Sequence, residues 1–212
     1  MHIPDGILPI SVTASGYAAT TAITWYSIHK INRKENPRED VPKAALLAAA
    51  FFVASLIHIP VPPTSVHLVL NGLLGVTLGY FAFPAILIGL FFQAVMFQHG
   101  GLTTLGINAV IMGLPALLCF YIFRLRNIAG RGERTTGAFG FLAGFGGVGI
   151  SAVLLLVILL TNIPADLDAG VERTAIFTLT LAHVPLMAIE GAFTALMAVF
   201  LQRVRPEILV GA

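Results

Sequence analysis

The chain is 212 residues long, 57% hydrophobic and only 10% charged, with a mean hydropathy of +0.91. So much apolar surface cannot be hidden in one soluble core, which implies a polytopic membrane protein with a single transmembrane domain over 1–212. The net charge of +2 singles out no partner class and nothing suggests nucleic-acid binding, while the lone Cys119 excludes an intramolecular disulfide and any multi-cysteine zinc or iron–sulfur site.

The first stretch is Met1-His2-Ile3-Pro4-Asp5-Gly6. An amino terminus followed at once by histidine is a chelator: the Met1 amine, the His2 amide and His2 Nδ1 close one five-membered and one six-membered ring on a single ion. If the amide ionises, such a set suits planar Ni(II) or Cu(II) rather than tetrahedral Zn(II). Pro4 has no N–H and fixes its own φ, so a fourth nitrogen has to come from elsewhere. Asp5-Gly6 is turn chemistry that bends the chain away. No basic n-region precedes the apolar run, so the terminus is not expected to be a cleaved signal, and Met1 is expected to be retained.

Apolar runs at 9–30, 42–60, 66–82, 84–98, 104–125, 135–162 and 172–203 predict an all-α fold of seven transmembrane helices. A span needs about 20 apolar residues, so the third and fourth are short and the last two can tilt or project. Lys30, Arg33, Lys34, Arg38 and Lys43 follow the first run, Arg124, Arg126, Arg131 and Arg134 the fifth, and Arg203 and Arg205 the last. Basic loops stay cytoplasmic, which puts the N-terminus outside and the C-terminus inside, with Trp25 and Tyr26 in the inner aromatic belt.

On this topology five of the six histidines fall toward the outer side: His2, His58, His67, His99 and His183; only His29 lies inside. Ionisable residues at membrane depth are costly and raise functional hypotheses. His67 is the favoured fourth ligand. Pro62-Pro63-Thr64-Ser65-Val66-His67 reads as a rigid turn with a Ser or Thr N-cap, placing His67 in the first helical turn, where the helix dipole keeps the ring neutral. His58 and His183 are expected to be hydrogen-bonded interhelical groups instead. Segment 93–108, QAVMFQHGGLTTLGIN, carries too many polar groups for a plain hairpin. Asp5, Ser65, Gln98, His99 and Asn108 are expected to grip the terminal loop and hold the ligands in place. Glu190, a lone acid in the last run, is expected to be protonated or hydrogen-bonded to a neighbour, and neither it nor His183 is given a catalytic role.

The opening MHIPDGILP, the PTSVHL around His67 and the QHGGLTTLGIN segment, in that order, resemble the CbiM/NikM family, the substrate-binding membrane subunits of cobalt and nickel energy-coupling-factor transporters. The resemblance covers the whole chain. It implies a seven-helix subunit, with the terminal loop inserted into the outer side of the bundle. The substrate, Ni(II) or Co(II), would be held by the Met1 amine, the His2 amide and ring, and the His67 ring. PTSVHL and FQHGG resemble the nickel branch more. No cofactor is expected. The chain has no G-x-x-x-x-G-K-[ST] to cradle ATP phosphates, so energy has to come from partners. The resemblance supplies them: a transmembrane coupling subunit and two cytoplasmic ATPases. Ala44, Ala45, Ala48 and Ala49 form a small-residue face on which the coupling subunit could dock, ordinary internal packing being the alternative. Two other classes stay open beside transport, a membrane metalloenzyme and a purely structural subunit. The enzyme needs an open coordination position that a closed four-nitrogen plane lacks.

Overall fold

The computed structural model describes residues 1–61, 64–130 and 132–210, and the side chains of residues 58–61, 64 and 65 lie outside that description. The terminal loop leads into α1 (Ile10–Ile31), where the Pro9 carbonyl accepts from the amides of Val12 and Thr13. After a short 3-10 turn, α2 (Val41–Ala54) begins with Pro42 in its first turn, where the missing N–H costs nothing.

Helix does not continue to residue 60. Two strands pair antiparallel instead, β1 (His58–Val61) with β2 (Thr64–His67), in the register His58↔His67 and Val61↔Thr64. Pro60 lacks the N–H a helix interior uses and its ring crowds the preceding turn, while Ile59, Val61, Thr64 and Val66 favour a strand. His67 therefore closes a strand and lies in no helical turn. The expected N-cap and the dipole argument for its neutral ring both fall. His58, expected at a helix end, lies in β1.

Leu70 adopts a left-handed conformation (φ 53°), and α3 (Asn71–Leu78) follows, every residue buried. Eight residues rise only about 12 Å, a fraction of a bilayer core of about 30 Å. The irregular backbone before α3 is enclosed by protein, with Val69 and Leu70 buried. Gly79, at φ +58, ends α3, and a 3-10 turn over Gly79–Phe81 sends the chain back as α4 (Ala82–Phe97). Then come α5 (Leu105–Arg124), the single turn α6 (Arg126–Ala129), α7 (Glu133–Thr161) and α8 (Ala169–Val204).

All seven predicted runs contain a helix. Four stretches among the described residues are long and apolar enough to cross a membrane: 71–97, 105–129, 133–161 and 169–204. In the middle of the bundle α5 packs against α1, α3, α4 and α7, and α7 lies along α8. Close approach requires small residues: a Cβ on Gly72 would come within 2.5 Å of Gly144 Cα. The buried Asn71 amide donates across this contact to Ser151 Oγ (2.8 Å) and the Gly147 carbonyl (3.1 Å).

The two ends of the bundle differ in charge. Lys34, Asp40, Lys43, Arg124 and Glu207 gather around a cavity of about 470 Å³ beside the Gly79–Phe81 turn. At the far end of α4 lie the terminus and the 99–104 loop.

Candidate metal centre

The terminal loop is received by the segment joining α4 and α5. Ile3, only 1% exposed, is gripped on both sides of its backbone: its N–H donates to Asn108 Oδ1 (2.9 Å). Its carbonyl accepts from Asn108 Nδ2 (3.0 Å) and Thr104 Oγ1 (2.6 Å). Two residues on, the Asp5 carboxylate accepts from the Thr103 hydroxyl (2.5 Å), the Thr103 amide (2.9 Å) and the Leu102 amide (3.2 Å). The Thr103 hydroxyl, first among these donors, holds the Asp5 carboxyl below its ordinary pKa. Gly101 has to be glycine, since a Cβ there would collide with the Asp5 carboxylate.

These clamps bring three nitrogens together. The Met1 amine lies 2.7 Å from His67 Nε2, and His2 Nδ1 lies 3.1 Å from the same atom. The tautomers follow from the outward-facing nitrogens. His67 Nδ1 lies 2.9 Å from the Leu68 carbonyl, which can only accept, so Nδ1 carries the proton and Nε2 a lone pair. His2 Nε2 lies 2.9 Å from Gln93 Oε1, and Gln93 is oriented by donating to Ser55 Oγ (2.5 Å). His2 Nδ1 is then also a lone pair.

Burial pushes the Met1 amine from 8.0 down to about 5, so at neutral pH it too is an uncharged donor. Burial first, then the positive charges of the Met1 amine, His67 and His99, holds the His2 ring well below its ordinary range. Three lone pairs converging in a buried pocket repel one another unless a proton or a metal cation joins them. At metal–nitrogen distances of about 2.0 Å, neighbouring donors in a square plane are about 2.8 Å apart. The two separations around His67 Nε2 bracket that value. His67 Nε2 thus sits beside both the Met1 amine and His2 Nδ1.

The other expected residues divide. His99 stacks edge-on to His2 (ring centroids 4.1 Å) and lies 5.4 Å from the His67 ring. A ligating nitrogen of each of these three histidines falls within 4.8 Å of the others. Asp5 and Asn108 hold the loop as described above. Gln98 does not: it is exposed in a left-handed cap of α4 (φ 51°), and its side chain bonds to no described residue. Gln93, one and a half turns earlier and fully buried, takes the place expected of it. The Ser65 side chain lies outside the described residues. His183 borders the same cavity of about 360 Å³ as Met1, His2, His67 and His99. Its Nδ1 donates to Leu179 within α8 (2.7 Å), so that hydrogen bond is not the interhelical one expected.

Gln93 and Ser55 were missed, although a signal existed. Gln93 is the single polar side chain of α4, and a lone amide in an apolar helix needs a buried partner.

The architecture is shared with solved proteins. A crystal structure of a transition metal transporter superposes with a TM-score of 0.75 and 26% identity, covering 96% of this chain and 93% of that one. A truncated transition metal transporter gives 0.76 and 25% identity, over 96% and 99%. The class is thus a multi-pass membrane transport component. Within that class the chain belongs to the CbiM family, described as the cobalt uptake substrate-specific transmembrane region, whose model matches residues 2–208. A Haemophilus influenzae relative described only in terms of metal transport is 34% identical over 213 residues, 99% of this chain and 97% of its own length. The fused nickel transport protein NikMN of Rhodobacter capsulatus is 33% identical over 99% of this chain, which spans 64% of that longer protein. The cobalt transport protein CbiM of Sorangium cellulosum is 31% identical over 99% of this chain and 94% of the relative.

Proposed function

We propose that this chain is the substrate-capture subunit of an ATP-driven energy-coupling-factor transporter, taking up Ni(II) or Co(II), with Ni(II) favoured. The metal is held by the Met1 amine, the ionised His2 amide, His2 Nδ1 and His67 Nε2. The observation that carries this reading is the convergence of the Met1 amine and His2 Nδ1 on His67 Nε2 with every outward nitrogen already committed elsewhere. Planar coordination with an amidate favours Ni(II), whereas the nickel and cobalt relatives are nearly equally similar and do not separate the two metals. Copper would bind such a donor set more strongly, so rejection of Cu(II) falls to availability and to the rigidity of the Asn108 and Gln93 clamps.

In this reading the chain crosses the membrane seven times, with the terminus outside and the basic loops and C-terminus in the cytoplasm. A transmembrane coupling subunit and two cytoplasmic ATPases supply the energy. Docking uses the α2 face of Ala44, Ala45, Ala48 and Ala49. Support comes from the apolar groove of about 560 Å³ that these alanines line together with α1 and α4. The chemistry needed of this subunit is binding alone. Asn108, Asp5 and Gln93 present the donors, burial keeps the amine uncharged, and the Leu68 carbonyl keeps His67 Nε2 free to bind.

The test is to place one extra residue before Met1, or to acetylate its amine. Titration calorimetry should then show no Ni(II) binding while circular dichroism and melting stay native. Native-like binding by the extended protein would overturn the reading. Loaded native protein should be diamagnetic, as planar Ni(II) is, and a paramagnetic product would remove the amide from the ligand set.

A further inference from the structure

Glu190 is fully buried in α8, and its carboxyl group is turned toward the backbone that links β2 to α3. Oε1 accepts from the amides of Val69 and Leu70, the latter at 3.0 Å, and Oε2 accepts from Leu70 at 2.8 Å. No regular structure could serve these donors. β2 ends at His67, α3 starts at Asn71, and Leu70 is in the left-handed region, so the 69 and 70 amides lie beyond both ladders.

The amide of Val69 and the carbonyl of Leu68 are two edges of one planar peptide group. On one edge the N–H is bound by Glu190; on the other the oxygen accepts from His67 Nδ1 at 2.9 Å. The sequence of contacts is therefore carboxyl group, peptide plane, imidazole, and then Nε2 at the metal corner. Because the peptide is rigid, fixing its N–H edge fixes the direction of its C=O edge, and with it the plane of the His67 ring. Hydrogen bonds in series also polarise one another: an N–H held by a carboxyl oxygen makes the carbonyl across the same peptide a stronger acceptor. A stronger acceptor at Nδ1–H raises the donor strength of Nε2, as a carboxylate bonded directly to a metal-bound histidine does.

We infer that Glu190 is a positioning residue for the metal centre, setting the orientation and donor strength of His67 Nε2 through the Leu68–Val69 peptide. The inference rests on the proposed role of His67 as a ligand. It assigns α8 a part in metal capture without giving it a ligand.

The experiment compares full-length native protein with Glu190→Gln, Glu190→Ala and His67→Ala in detergent micelles. Three quantities are read: Ni(II) affinity, the position of the d–d absorption band, and the melting temperature of the metal-free protein. Glu190→Gln keeps the volume and one acceptor. It should weaken Ni(II) binding about 10–100-fold, the range typical of groups that orient metal-bound histidines, and move the band part of the way toward the His67→Ala position. Glu190→Ala should weaken binding further and move the band closer to the His67→Ala position, since the Leu68–Val69 peptide then loses the acceptor that fixes its N–H edge. A merely structural Glu190 would lower the melting temperature and leave the band and affinity of the folded protein native; that outcome in Glu190→Gln overturns the inference. Should Glu190→Ala not fold, Glu190→Gln alone decides. Native binding by His67→Ala would instead bring down the ligand assignment and the Glu190 inference together, whereas loss in His67→Ala with native binding in Glu190→Gln removes the inference only.

Discussion

Where the terminus enters the bundle almost nothing is regular: a looped terminus, a pair of four-residue strands, a left-handed Leu70 and a half-length helix meet within a few residues of His67. Beside it α7 and α8 run together for 29 and 36 residues, joined by glycine approaches and apolar contacts. The first region is held by side-chain hydrogen bonds to particular backbone atoms, the second by shape. A change in the first should therefore alter what is bound while sparing the fold, and a change in the second should do the reverse.

The largest expected effect is on the first side. His67→Ala removes the donor that the terminal chelate cannot replace, and Ni(II) affinity should fall by more than about 100-fold, beyond the cost of losing a merely orienting group. Circular dichroism should stay native. His183→Ala, which borders the cavity but whose Nδ1 bonds within its own helix, should cost clearly less. Equal losses from the two variants, both folded, would make His183 a ligand and add a donor from α8 to the centre.

Next in size is a change in the frame. A Cβ at Gly140 would lie 3.0 Å from Ala195 Cα and 3.2 Å from the Thr194 carbonyl. Gly140→Leu should lower stability by about 1–3 kcal/mol or more through overpacking, read as a lower melting temperature. The fraction that still folds should bind Ni(II) normally. Weakened binding in that fraction would mean that helix spacing reaches the metal site.

A smaller effect belongs to Asn108. Its amide pairs with both the N–H and the carbonyl of Ile3, while Thr104 still holds the carbonyl if Asn108 is lost. Asn108→Ala should weaken Ni(II) binding about 10–100-fold and leave the helices intact. An unchanged affinity would show that the terminus finds its place without this clamp.

The same contrast explains what could be read from the sequence. Runs of apolar residues marked every long helix to within a few residues, because burial along a helix leaves a continuous record. The candidate donors were also legible, since Met1-His2 is a chelator by its covalent structure alone. His67 was chosen for a reason that failed: the helix dipole is not there, and its neutral tautomer comes from the Leu68 carbonyl, a backbone atom that carries no sequence signature. His58 to Pro60 end the second apolar run and Val66 and His67 begin the third, with a turn between, and periodicity over so few residues does not separate strand from helix. Gln98, beside the turn, is exposed, whereas Gln93, a lone amide that an apolar helix has to pair, is buried against His2, so burial is the better guide here.

The last and smallest effect concerns protons, and it separates a buried chelator from an exposed one. In an unfolded terminus the Met1 amine would titrate near 8.0; buried, it titrates near 5, and His2 is likewise depressed. Between these values the unfolded chain holds a proton that the folded chain has lost, so metal-free protein should gain stability as pH rises from about 5 to 8 and lose it as pH falls through that window. Across neutral pH the amine and ring are then already uncharged, leaving the His2 amide as the proton source for metal capture. Calorimetry in buffers of different ionisation enthalpy should give close to one proton released per Ni(II), with affinity rising about tenfold per pH unit. Two or more protons would mean the amine and ring are charged before the metal arrives, as in a loose peptide. None would mean the amide keeps its hydrogen, and the donors already assembled around His67 Nε2 would then have to bind the metal without it.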